Sequence, residues 1–375
     1  MTIQLSLCTV QKTNNLTLEA DRVVLGGKGR PMQNFTLLIL CLLSLNACVL
    51  NREFSDNQQL YLDARRPSGK LITSPTSNQP SLKITYFGVS TLLFDDGVNK
   101  ILVDGFFTRP SIEQLIFFGV NPDLSNRKTI KETINRYELH NLTAIIAVHS
   151  HHDHAMDAPL IADITGAELV GSKSTCRLAI GLQLTQEKCY KKASQLNKNN
   201  EQFQFGDFEI DLIHTEHTKL PSLVESVVGV NERVNEEFSY PARIWDYAEG
   251  DSYSIYIKHP AGSIVVHANS ALGPNELANV QADWVFMSVA RLTSLPNSQQ
   301  IFNSIAKASK AKNIVPIHWD DFSRLEEEKL SPQKLFLGNS IEEIQLLMKL
   351  NSQLDAPANV YILGFGDHVW VTNSE

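Results

Sequence analysis

The stretch His149-Ser150-His151-His152-Asp153-His154 decides how the rest of this chain is read. It follows directly on Leu142-Thr143-Ala144-Ile145-Ile146-Ala147-Val148, an apolar run that reads as a fully buried strand. In extended backbone, residues two apart point the same way, so His149 and His151 can present their imidazoles to one point. The chain then turns, and Asp153 and His154 face a neighbouring point. Imidazole and carboxylate at this density suit zinc first, with manganese or iron as alternatives. The bland reading is a solvated histidine-rich loop. The buried strand in front of the motif disfavours it, because α/β sheets carry their sites at strand ends.

Outward from the motif the pattern is regular. Residues 81–94 form a β-rich run broken at Gly88, and residues 100–103 form a short strand that ends at Asp104. A helix is expected from near Ala158, then a strand at 168–170. Hairpins are expected at 203–214, around Gly206-Asp207, and at 252–266, around Pro260-Ala261-Gly262. Residues 284–289 and 314–317 read as strands, 299–310 and 341–350 as helices, and 360–363 and 368–371 as two short closing strands. Hairpins followed by strand–helix units, twice over, predict an α/β (α+β) chain with two sheets face to face and helices outside. No linker composition interrupts residues 81–375, so one domain is expected there.

Composition narrows the functional classes. The 375 residues are 43% hydrophobic and 20% charged, which predicts a packed core. A formal net charge of -8 argues against nucleic acid as a partner held by phosphate neutralisation. Five cysteines are too few for a disulfide scaffold. His140, His259, His267 and His368 have no motif support and read as surface or core residues.

His149, His151, Asp153 and His154 resemble the signature of the metallo-β-lactamase superfamily, and the resemblance extends over residues 81–375. It implies an αββα sandwich with one or two metal ions, zinc first, at the edge between its sheets. The remaining ligands follow residue by residue. After the strand near 208–213 there are two candidates, His214 and His217; the family's histidine comes shortly after the strand ends, which favours His217. A last histidine that closes a strand is His318, in Ile317-His318-Trp319-Asp320-Asp321-Phe322. The resemblance thus assigns His149, His151 and His217 to one site and Asp153, His154 and His318 to the other. Asp104 matches an early aspartate that supports the site from behind, with a plain turn acid as its alternative. His152 falls at a variable position and is not expected to be a ligand. One departure matters. The family usually supplies a metal-bridging aspartate after a later strand, where this chain has Asn269 and Ser270. A neutral oxygen is a poorer cation ligand than a carboxylate, so the second metal is expected to be weak or absent.

The function implied by the resemblance is metal-dependent hydrolysis. A metal-activated hydroxide would attack an ester, phosphodiester or lactone-like substrate, with Asp153 as the catalytic residue that orients it. The substrate is expected to be a small molecule or a lipid. A non-catalytic, metal-binding envelope lipoprotein is the alternative, consistent with the missing aspartate. Residues 220–250 include Phe238, Tyr240, Trp245 and Tyr247 and read either as a substrate loop or as a cap over the core.

The N-terminal region carries a separate signal. The apolar run at 35–50 is too short for a comfortable membrane span, which needs about 20 residues, but suits a signal peptide with Lys28 and Arg30 before it. Leu45-Asn46-Ala47-Cys48 resembles the lipobox of bacterial lipoproteins, which implies a leader over 1–47, a lipid on Cys48 and a membrane anchor without a protein span. Met32 is an alternative start. Residues 48–80, polar and without period, read as a tether. Val49 after the cysteine favours the outer membrane, so the expected address is the bacterial cell envelope, facing the periplasm. With Cys8 and Cys41 in the leader, Cys176 and Cys189 are left to form one disulfide.

Overall fold

The apolar runs become strands wherever a second sheet is there to bury them. In the computed structural model the described residues are 53–76, 79–183, 189, 201–217, 233–234, 238–269, 271, 276–277, 279–325, 328–333 and 338–373. Residues 1–47, read above as a leader, and Cys48 and Ser270 lie outside them. The first sheet is built from β1 (Ser81–Tyr86), β2 (Leu92–Asp95), β3 (Lys100–Val103), β4 (Leu142–Ile146) and β5 (Glu168–Val170). The second holds β6 (Glu201–Phe205), β7 (Phe208–Thr215), β8 (Ser252–His259), β9 (Gly262–His267), β10 (Trp284–Ser288), β11 (Asn313–Ile317) and β12 (Asn359–Val360). The last strand, β13 (His368–Thr372), returns to the first sheet, so the orders are β13-β1-β2-β3-β4-β5 and β12-β11-β10-β9-β8-β7-β6.

Each half begins with antiparallel hairpins and ends in parallel strands: β3-β4-β5 in the first sheet, β9-β10-β11-β12 in the second. Parallel strands are covered on both faces, which is why β10 is buried at every position. Between the sheets, Ile84, Phe94, Ile101 and Ile146 meet Ile210, Ile255, Val265 and Phe286 in one core. The rings of Phe94 and Phe286 meet edge to face at 6.4 Å. The helix Ser340–Asn351 closes the outside of the second sheet by burying Ile341, Ile344, Leu347 and Leu350, spaced at three-residue steps along one stripe. On the outside of the first sheet, Leu102, Ile145 and Leu169 pack against Leu160, Ile161 and Cys176 from the helices Ala158–Thr165 and Lys173–Gly181. The layering is αββα.

Several local expectations are corrected. Part of the segment read as a tether is folded: Asp56–Asp63 is a helix with a Ser55/Gln58 capping box, and Leu62 enters the core. Ile362 N–H donates to Arg65 O at 3.0 Å, and Arg66 pairs with Asp367 at 2.8 Å. With so few apolar residues in the segment, its pattern did not announce a helix. The helices Ile112–Phe117, Pro122–Ser125 and Arg127–Arg136 were likewise not expected. The helix expected at 299–310 is α-helical at Ser298–Phe302 and widens to a π turn at Asn303–Lys307. Ladder pairing expected over 360–363 ends at Val360. Cys176 and Cys189 are joined by a disulfide.

Candidate metal centre

The C-terminal ends of β3, β4, β7 and β11 converge on one edge, where the two sheets are stitched together. Tyr253 N–H donates to Val148 O at 2.9 Å, and Ser150 N–H donates to Glu249 O at 2.9 Å. His151 then sits in extended conformation as the N-cap of the short helix His152–Ala155. That switch from strand to helix separates the motif's side chains into two groups.

In the first group, His149, His151 and His217 each offer a ring nitrogen, and the three lie within 4.8 Å of one another. Their ring centroids form a near-equilateral triangle of 4.8, 4.9 and 4.8 Å. The second group gathers Asp153, His154 and His318 within the same limit of 4.8 Å. Asp153 Oδ2 lies 3.5 Å from His154 Nε2 and 3.3 Å from His318 Nε2. The two groups adjoin, with the His149 and His154 rings 4.0 Å apart.

Whether these residues fit a cation can be read from their unused atoms. Both ring nitrogens of His149, Nε2 of His151 and Nδ1 of His318 are buried with no hydrogen-bond partner among the described residues. Such orphaned ring nitrogens are costly unless something binds them. Burial, and then the neighbouring imidazoles, hold His149 and His151 well below the ordinary histidine range, in the neutral form that ligates metals. Burial also opposes charge on His154, but Asp153 and Asp104 overcome it and raise this ring above its ordinary value. Asp153 is held well below the carboxylate range: burial works against this, and His154, His152 and His318 outweigh it.

Behind the second group, His154 Nδ1 lies 2.9 Å from Asp104 Oδ2 and 2.8 Å from Ser90 Oγ. Ser90 in turn donates to Asp104, whose other oxygen accepts Val148 N–H at 2.9 Å. A proton on Nδ1 directed at Asp104 leaves Nε2 of His154 as the free lone pair. Asp104 is therefore more than a turn acid, although it does turn the chain, at φ 59°.

The other candidates separate cleanly. His214 is turned away, 3.9 Å from Asp251. His152 sits among the rings of Phe106, Tyr247 and Phe322, outside both groups. Asn269 is not placed as a ligand: its Oδ1 accepts Ala271 N–H at 2.8 Å and its Nδ2 reaches Thr215 Oγ1 at 3.5 Å. His267 is a core histidine against Ser254 Oγ at 2.7 Å. In the described part of 220–250, Tyr247 is fully buried with its ring beside His152, and Ala242 pairs with Val120. His259 gathers with Asp96 and Asp207, an arrangement the sequence did not suggest. Its Nδ1 accepts Ala261 N–H at 3.1 Å, so Nε2 of the neutral ring carries the proton and offers no lone pair.

Comparison with known proteins agrees with this architecture. The sequence profile of the metallo-beta-lactamase superfamily matches residues 84–233. The two-sheet αββα layering is the one that the resemblance to this superfamily implies. The matched range contains five of the six grouped side chains; His318 lies beyond it and is brought in by β11. Among curated proteins, a UPF0173 metal-dependent hydrolase of Methylobacterium nodulans is 27% identical over 138 residues, 36% of this chain and 49% of that protein. The chain thus spans about half the length of the curated relative it matches. Among solved structures, the metallo-beta-lactamase fold protein YhfI of Bacillus subtilis is 15% identical with a TM-score of 0.46, covering 78% of this chain and 100% of its own. CmlA, a diiron β-hydroxylase of Streptomyces venezuelae, is 13% identical with a TM-score of 0.43, covering 79% and 55%.

Proposed function

We propose that this chain is a metal-dependent hydrolase of ester, phosphodiester or lactone-like substrates. The observation that carries it is the pair of adjoining ligand groups, His149/His151/His217 and Asp153/His154/His318, made from three separate strand ends. Three protein ligands per group leave coordination positions open, which a structural zinc site does not do. The metal-dependent hydrolase from Methylobacterium nodulans supports the same reaction class. A bound divalent cation supplies Lewis acidity and a nucleophilic water near neutral pH. The chain does the rest. Neutral imidazoles would hold a cation at the first group, Asp153 would accept a proton from the attacking water and fix its orientation, and Asp104 holds the His154 ring. Zinc is the first choice for five imidazoles and one carboxylate.

The lipobox-like Leu45-Asn46-Ala47-Cys48 supports an envelope lipoprotein, which brings the site to membrane-derived substrates. Among the described residues no helix is long and apolar enough to cross a membrane. The test is elemental analysis of the purified protein, followed by turnover of bis(p-nitrophenyl) phosphate, a panel of lactones and a chromogenic cephalosporin. Bound zinc and hydrolysis of at least one substrate, lost in Asp153→Ala, are expected. Stoichiometric zinc without turnover of any of them would favour the metal-binding lipoprotein instead.

A further inference from the structure

We propose that Arg109 and Asp320 are positioning residues whose buried ion pair keeps His318 in register with Asp153 and His154. The proposal rests on the metal-centre reading above. Arg109 Nη1 lies 2.7 Å from Asp320 Oδ2, and the two side chains are 1% and 0% exposed. Neither residue belongs to either ligand group. Several groups on the pair lead toward the site. Asp320 Oδ1 accepts Val89 N–H at 2.8 Å and Tyr86 O–H at 3.0 Å. His318 N–H donates to Val89 O at 2.6 Å. The Val89 residue is thus gripped on one side by residue 318 and on the other by residue 320.

The next residue, Ser90, contacts His154 Nδ1 and Asp104. Residues 89 and 90 therefore connect two ligands of the second group, His318 through Val89 and His154 through Ser90. Arg109 fastens both sides of this connection, donating to Phe87 O at 3.1 Å and to Asp321 O at 2.7 Å. On the far side of His318, Gln333 Nε2 donates to the His318 carbonyl at 2.5 Å.

Two features show that the arrangement is imposed. Val89, Arg109 and His318 all adopt positive φ, at 50°, 45° and 57°, a region non-glycine residues occupy only when their surroundings dictate it. Gly88 admits no side chain, because a Cβ there would stand 2.0 Å from Arg109 Nη2 and 2.7 Å from Asp320 Oδ2. A buried ion pair is weak evidence for stability, since well-packed apolar residues often serve as well. What it supplies is direction. Asp153 Oδ2 links the two rings from the front, and with Asn269 committed to Ala271 and Thr215 the Val89–Ser90 segment links their backbones from behind.

The experiment is zinc titration of the metal-free protein against a competing chelator, resolving two affinities, with thermal unfolding in parallel. Asp320→Asn keeps the shape and the acceptor for Val89 N–H but removes the charge facing Arg109. The second-group affinity is expected to fall about 10- to 100-fold while the first stays within about twofold. Asp283→Asn is the control, a carboxylate that accepts Ser263 N–H at 3.0 Å and Ser263 Oγ–H at 2.8 Å and touches neither Arg109 nor the His318 segment. It should lower stability without changing either affinity. If Asp320→Asn does not fold, Tyr86→Phe removes one donor to Asp320 and should produce a several-fold loss confined to the second affinity. Equal loss at both sites, or lost stability with both affinities intact, overturns the proposal and leaves the metal reading standing. A wild-type protein that binds no zinc overturns both, and one that binds a single ion overturns the positioning role.

Discussion

At the scale of the residue, the site is made by small numbers of donors in fixed directions. Asp104 shows this: one oxygen faces His154 Nδ1 and the other takes Val148 N–H, so a single carboxylate orients a ligand and ends a strand. Asp104→Ala should weaken zinc binding by about 10- to 100-fold, measured by chelator competition, because it frees the ring to rotate. Glu343 makes a different point. It is fully buried in the first turn of the Ser340–Asn351 helix, and burial pushes its carboxyl up from 4.5 to about 8. Glu342 adds to the rise, while the Arg291 charge and backbone N–H oppose it. The folded state therefore holds a proton that the unfolded chain releases near 4.5. Stability is undiminished below that pH and falls as pH rises toward 8. Glu343→Gln should raise the unfolding temperature at pH 9 and leave it nearly unchanged at pH 4. An equal shift at both pH values would show that the carboxyl does not titrate in this way.

At the scale of the element, the helix Asp56–Asp63 and the disulfided helix Lys173–Gly181 extend the fold beyond its sheets. Leu62 is the one buried residue of the first helix, 4% exposed, and packs with the core between the sheets. Leu62→Ala should destabilise the protein by about 2–4 kcal/mol in urea unfolding, the usual result of an internal cavity. A free tether would show no change. The disulfide closes a loop of 13 residues between Cys176 and Cys189, so its reduction should cost about 3 kcal/mol. That loss is read as a lower unfolding temperature in dithiothreitol, abolished in the Cys176→Ser/Cys189→Ser variant.

At the scale of the molecule, a cation bound at either group would tie the two sheets together, because each group draws side chains from both. His149, His151, Asp153 and His154 come from the first sheet's edge, His217 and His318 from the second's. Chelation should therefore lower the unfolding temperature of the whole domain, since metal binding to the folded state alone is folding free energy. What the sequence determined by itself was whatever short-range spacing encodes. The 149–154 motif, the strands that precede it and most hairpins were legible because alternation, buried runs and turn residues act within a few positions. His318 was legible because it closes an apolar strand and matches the family pattern. The tertiary structure alone decided the rest. It brought His217 rather than His214 beside His149 and His151, paired β13 with β1, turned Asn269 aside and packed Tyr247 into the interior. It also showed that Arg109 and Asp320, 211 positions apart, meet in a buried pair with Val89 between the chain segments. No local period marks such residues. Their meeting depends on how two sheets close over one core, and each is an ordinary polar residue until that closure removes water from around it.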